Sequence, residues 1–354
     1  MSRSLGYAQV PGFYAQVERA ARPELAERPV IVGGDPRKAG LVQAATADAL
    51  ARGVRPGMSV LEALERCPEA RALPTDMRRY REVGVRLLAT LRRALDRIEE
   101  AGLGAAYFEL REGEDPRALG SELRRRVREE LGLPLRVGIG PAKFLARLAA
   151  EEAGDEGVRR VEPGDLESFL HPLPVTRLDG VGTNTEAALA KHEVHSVGDL
   201  VALGRERVVE ILGNRGLELL ELARGRDPAP LRATRHSKSL SQEVTLPSGQ
   251  VDAGVLSERI LELAEALDRR LALEGLAARR VSLKLRFGDQ QTQTRSRTLS
   301  EPVHDAAALH GVGIALLRLS QAGSRPVRLV GLAVSELAPA RRDDRQLELF
   351  ARPR

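Results

Sequence analysis

Tryptophan is absent from the 354-residue chain, and aromatic residues of all kinds make up 3% of it. Extensive stacking of bases on aromatic side chains is thereby excluded as the main way of holding nucleic acid. Contact with such a partner has to run through the phosphate backbone. There is a single cysteine, Cys67, which rules out an internal disulfide and a cysteine metal cluster. It suits a reducing cytoplasm and reads as a small buried apolar side chain rather than a nucleophile. No run approaches the roughly 18 apolar residues of a membrane helix. The N-terminal MSRSLGYAQV lacks the apolar core of a secretory signal. A cytoplasmic, nucleoid-associated protein with no membrane partner is therefore expected.

What is present is a globular composition, 42% hydrophobic and 30% charged, long enough for two or more domains. Lys and Arg number 55 against 50 Asp and Glu, a net charge of +5 that suits a polyanionic partner. An arginine-rich proteome gives the same surplus without one.

Along the chain, Pro29 to Gly34 reads as a buried strand stopped by two glycines. Ala44 to Arg52 and Arg78 to Glu100 read as helices, the second with Val83, Leu87, Leu88, Leu91 and Leu95 at helical spacing. Ala106 to Leu110 and Leu135 to Gly140 read as strands, with a helix from Lys143 to Glu152. This is an α+β pattern over about 165 residues. From Asp165 to Arg232 short helices separated by glycines take over. After Asp227-Pro228-Ala229-Pro230 a second α+β unit follows, with a helix over Ser257 to Leu273 and strands over Arg280 to Phe287, Thr292 to Leu299 and Arg328 to Leu337.

Three features carry chemistry. Leu178-Asp179-Gly180-Val181-Gly182 before a helix at Thr183 reads as a helix-hairpin-helix turn. Its backbone N–H groups can grip a DNA phosphate without reading sequence, although the same letters also serve as a plain connecting turn. Strand alternation sets Arg280, Lys284 and Arg286 on one face, with Arg295 and Arg297 on the next strand. They form a phosphate track or an ordinary solvated face. The tail Gln346-Leu347-Glu348-Leu349-Phe350 puts apolar side chains at a polar terminus. It reads as a peptide for an apolar groove or as a frayed end, and its pattern resembles the bacterial sliding-clamp binding motif.

Phe13 to Glu18, Ile98 to Glu109, Val137 to Gly140 with Lys143 to Ala150, the hairpin turn, Leu222 to Asp227 and Arg328 to Leu332 together resemble Y-family DNA polymerases of the DinB type. The resemblance runs from about residue 5 to 350 in the family's order. It implies an α+β right hand with palm (1–12 and 78–165), fingers (13–77) and thumb (166–232). A linker (233–237), a little finger (238–337) and a tail with the clamp motif (338–354) complete the implied architecture. It further implies that Tyr14 excludes ribonucleotides and that Arg147 faces phosphate.

The departures lie at the chemistry. Gln9 stands where the family carries a metal-binding aspartate, and Gly104 and Ala105 stand at its other two carboxylates. Ala47 and Leu50 replace its triphosphate-binding Tyr and Arg. Two-metal phosphoryl transfer needs anionic oxygens, so the expectation is a non-enzymatic pseudo-polymerase without Mg²⁺. Such a protein resembles ImuB-type mutasome members in binding DNA and the sliding clamp. A RecA-like adaptor and a replicative-type error-prone polymerase are its further expected partners. The alternatives are an active DinB-type error-prone polymerase with an unusual metal site, and a regulator that excludes other polymerases from the clamp.

Overall fold

A computed structural model describes residues 4–38, 40–154, 157–227, 229–232 and 239–340. The chain divides into two units, Met1–Arg235 and His236–Arg354.

In the first unit β1 (Leu5–Gln9) leads into α1 (Phe13–Ala20). A small lobe follows, made of β2 (Val30–Gly33), β3 (Val42–Ala45), α2 (Ala47–Ala51), α3 (Val60–Arg66) and β4 (Arg71–Pro74), with its sheet ordered β3-β2-β4. Cys67 is buried in the core of this lobe. Then come α4 (Met77–Arg92), β5 (Ile98–Gly102), β6 (Ala105–Glu109), α5 (Pro116–Leu131), β7 (Arg136–Gly140), α6 (Lys143–Glu152) and β8 (Val158–Arg160). These strands and β1 make a five-stranded sheet, β5-β6-β1-β7-β8.

Alternation along the sheet separates two faces. Ala8, Ala106, Phe108, Val137 and Ile139 join the core under α4 and α5. Tyr7, Ala105 and Tyr107 face the other way and meet Ala146 and Ala150 of α6. The helix lies this close because β7 carries Gly138, where a Cβ would stand 2.0 Å from the Ala146 carbonyl oxygen and 2.1 Å from the Ala150 nitrogen. Helices α7 (Leu166–Leu170), α8 (Thr183–Ala190), α9 (Val197–Leu212, broken at Gly204) and α10 (Arg215–Ala223) complete the unit around a core shared with Phe144, Leu145 and Leu148 of α6.

The second unit is β9 (Ser239–Gln250), α11 (Ala253–Glu274), β10 (Leu276–Phe287), β11 (Thr292–Val303), α12 (Ala306–Arg318) and β12 (Val327–Pro339), with sheet order β11-β10-β12-β9. Val281, Leu283, Leu285 and Phe287 are buried with Ile260, Leu267 and Leu316 of the two helices. Among the described residues no helix is long and apolar enough to cross a membrane.

The structure corrects two helices read from the sequence. The one read over 78 to 100 stops at Arg92, and Ile98–Gly102 is a strand, because Ile98, Glu99 and Glu100 pair with Phe108, Tyr107 and Ala106 of β6. The one read over 44 to 52 is split: Val42–Ala45 pairs with β2 before a short helix begins. No element was read at β9, α5 or α12, although Leu119, Leu123 and Val127 of α5 stand four apart and are buried.

Candidate functional site

On the α6 side of the larger sheet, Gln9 ends β1 in register with Ala105 on β6 and Arg136 on β7. Arg136 donates from Nε to Gln9 Oε1 at 2.9 Å and from Nη2 to the same oxygen. Ala105 is buried and offers no side-chain oxygen. Gly104 has φ +85°, and its carbonyl accepts from the Val10 N–H at 2.9 Å. Of the acids close in sequence, Glu100 is exposed opposite Ala106, and Glu99 and Glu109 are engaged. Glu99 takes Lys143 Nζ at 2.8 and 2.7 Å and the Arg232 N–H at 2.6 Å, while Glu109 takes Arg97 at 2.5 Å. Among the described residues no three His, Cys, Asp or Glu side chains converge. A neutral amide already held by a guanidinium, beside a Gly and an Ala, does not fit a divalent cation that seeks anionic oxygen. No catalytic step is derived through a metal at these three positions.

Gly104 is also fixed sterically, since a Cβ there would lie 2.5 Å from Phe13 Cγ. Restoring an acid by Gly104→Asp is expected to lower stability by about 2–4 kcal/mol, from the left-handed backbone and the overpacked ring. Ala105→Glu meets no left-handed backbone, but Ala105 is itself buried against Ala146 and Ala150, so it should also lose stability through overpacking and a buried carboxylate. Chemical denaturation of the two variants beside the parent checks this, and equal midpoints for all three proteins would remove the constraint.

Behind Gln9 the rings of Tyr7 and Tyr107 lie 4.7 Å apart. Burial raises both phenols above their ordinary range, opposed at Tyr7 chiefly by the positive charge of Arg147. Arg147 donates to Glu151 and to Asp179, each at 2.9 Å, and to the Arg177 carbonyl at 3.2 Å. It therefore reaches the 178–182 turn. Tyr14 stacks on Tyr80 at 4.5 Å and 11°. Tyr80 in turn donates to the buried Glu18 at 2.8 Å. Ala47 is exposed at the start of α2, and Leu50 packs against the core of its lobe.

In the 178–182 turn Leu178 is buried while Gly180 and Gly182 are exposed. Gly180 adopts φ +96°, and no side chain caps the N-terminus of α8. A backbone phosphate can approach N–H groups left open in this way.

In the second unit Arg280, Lys284 and Arg286 alternate with buried residues, as the sequence pattern predicts. However, register pairs Arg297 with Val281 and Arg295 with Leu283. Directly opposed residues share a face, so Arg295 and Arg297 rise from the helix-bearing side. The five cations do not form one track. Two of the three on the open face have acidic neighbours that sequence reasoning missed: Arg280 lies 3.8 Å from Glu336 and Lys284 2.9 Å from Glu243. Arg286 meets the Thr292 hydroxyl at 3.5 Å. Arg136, Glu99, Lys143 and Asp179 were also missed as site residues, although Asp179 lies inside the quoted turn and Glu99 and Lys143 lie inside stretches that carry the resemblance. The tail residues Gln346, Leu347, Leu349 and Phe350 lie outside the described residues.

The fold is that of a Y-family polymerase hand followed by a little-finger-like domain. Solved structures match it over 94% of this chain and 98% of theirs, at 21–22% identity. They include a chimera of the Y-family polymerases Dbh and Dpo4 (TM-score 0.82), an insertion ternary complex of Dbh DNA polymerase (0.72) and DinB from Sulfolobus solfataricus (0.67). Residues 9–151 match the impB/mucB/samB family and residues 237–349 its C-terminal domain. The chain belongs to this family of Y-family DNA polymerases. Relatives named DNA polymerase IV are 35% identical in Methanoculleus marisnigri (95% of each chain covered) and 36% in Halorhodospira halophila (96% and 97%). One from Alkalilimnicola ehrlichii is 34% identical (98% and 99%).

These relatives correct two expectations. Near full-length similarity to proteins named DNA polymerase IV stands against a non-enzyme. It stands equally against leaving Mg²⁺ out, because polymerases of this family use divalent metal ions. The inference from missing side chains was too strong. Magnesium keeps several waters and takes further oxygens from substrate phosphates, so bare protein positions do not by themselves exclude the ion. The three relatives just named are DNA polymerase IV proteins, not ImuB-type ones.

Proposed function

We propose that the chain is a translesion DNA polymerase of the DNA polymerase IV kind, with an unusual metal site. The observation that supports this most strongly is the similarity to three proteins of that name over 95–98% of the chain. In this reading the turn at Gly180, Val181 and Gly182 grips the DNA backbone, Tyr14 forms the floor under the incoming sugar, and Gln9 holds Arg136 at the edge of the palm. With at most one neutral side-chain oxygen at the three usual ligand positions, extension is expected to be slow and to need more metal than a polymerase with three carboxylates there. Primer extension on an undamaged and a lesion-bearing template, titrated with Mg²⁺ and Mn²⁺, tests it. Binding of primer-template without any extension at high metal would overturn the proposal.

The open face of the second unit supports a sequence-independent DNA track around Arg286, lined by hydroxyls of Ser282, Thr292, Thr294 and Ser296. Arg286→Glu is expected to weaken binding and reduce the log–log salt slope by about one, the contribution of one phosphate contact. Arg295→Glu, on the other face, should leave the slope unchanged. Titrations over a range of salt decide it, and the opposite ranking would move the track to the helix side. The tail motif, Gln346, Leu347, Leu349 and Phe350, supports docking to a sliding clamp. That would hold a weakly bound polymerase on its template by effective concentration.

A further inference from the structure

Arg147 and Asp179 link α6 to the turn proposed to grip DNA, and their surroundings define a role for the pair. Asp179 immediately precedes Gly180, and its side chain is 64% exposed where the turn opens to solvent. A bare carboxylate at that place repels a phosphate arriving at the neighbouring N–H groups. Arg147, only 19% exposed, is held between Asp179 and the Arg177 carbonyl on one side and Glu151 on the other. Glu151 is shared with a second guanidinium, that of Arg177, at 2.9 Å, and Arg177 also takes Glu152 at 3.0 Å. The network thus sets two arginines against three carboxylates. Removing Arg147 leaves one against three, with Asp179 nearest to the DNA.

We propose that Arg147 is a positioning residue for the thumb's grip: it neutralises Asp179 and fixes the turn on α6, and it does so without touching the DNA. This rests on the reading that the 178–182 turn binds a DNA phosphate. The test is a double-mutant cycle, read as affinity for a labelled primer-template in the intact chain, with thermal melts to confirm folding. Arg147→Gln keeps most of the bulk and hydrogen-bonding capacity but removes the charge. It should weaken binding about tenfold at low ionic strength, the order expected for one uncompensated like charge near a phosphate. Adding Asp179→Asn should restore affinity to near the parent, and Arg147→Lys should hold most of it. Thr183→Glu, which places a carboxylate at the open end of α8, reports on the turn itself and should also weaken binding. A double variant as weak as Arg147→Gln alone would show Arg147 in direct contact with DNA and overturn the proposal. Weakening by Thr183→Glu but not by Arg147→Gln would overturn it while leaving the turn as a DNA site. No effect of either would remove the turn from the interface, and the proposal with it.

Discussion

Gly138→Ala should disrupt the first unit severely. The added Cβ would meet backbone atoms of α6, the Ala146 oxygen at 2.0 Å and the Ala150 nitrogen at 2.1 Å. A flexible side chain can swing away from such a contact, but a helix backbone packed on a strand cannot move without its whole element. Overpacking of side chains costs about 1–3 kcal/mol, and a backbone contact of this kind should cost at least about 3 kcal/mol. Because α6 carries both Lys143 and Arg147, lifting it should also weaken primer-template binding. Denaturant unfolding followed by circular dichroism, with DNA titration on the same samples, measures both. A fully stable Gly138→Ala protein would mean that α6 does not lie against β7 as described.

Lys143→Met should cost about 3 kcal/mol, the lower end of the range for removing one partner of a buried ion pair. Glu99 and Lys143 are 11% and 13% exposed, and the ammonium lies 2.7 and 2.8 Å from the two carboxylate oxygens and 4.9 Å from the centre of the Tyr107 ring. Without it the Glu99 charge keeps only the Arg232 N–H as a close partner among the described contacts, which does not offset its desolvation. The double variant Lys143→Met/Glu99→Gln should recover most of the loss, because a neutral amide costs far less to bury. The pair also reaches the chain beyond α10, through Arg232 to Glu99 and the Pro230 carbonyl 3.4 Å from Lys143. Unfolding curves of the single and double variants supply the check. Equal loss in both would show that packing of the lysine stem, not its charge, holds the site.

The sequence by itself determined the elements whose pattern is local. Val281, Leu283, Leu285 and Phe287 alternate and are buried, and Leu87 and Leu91 keep helical spacing in α4 and are buried. The glycine turn at 180 to 182 followed by a helix from Thr183 was legible for the same reason, since φ sign and helix starts are set within a few residues. The family was legible because its motifs survive in order along the chain.

Register and ion pairing were not legible. Nothing local says that Arg295 lies opposite Leu283, or that Glu243 reaches Lys284 across 41 residues of chain. A strand's side-chain period fixes two faces but not which of them a neighbouring strand shares. The end of α4 was decided in the same way, by Ile98 to Glu100 pairing with Ala106 to Phe108 on β6. At the palm, the sequence identified Gln9, Gly104 and Ala105 as departures. Only the folded sheet set Arg136 against Gln9 and Phe13 against Gly104, because strand pairing and packing bring together residues that are far apart in the chain.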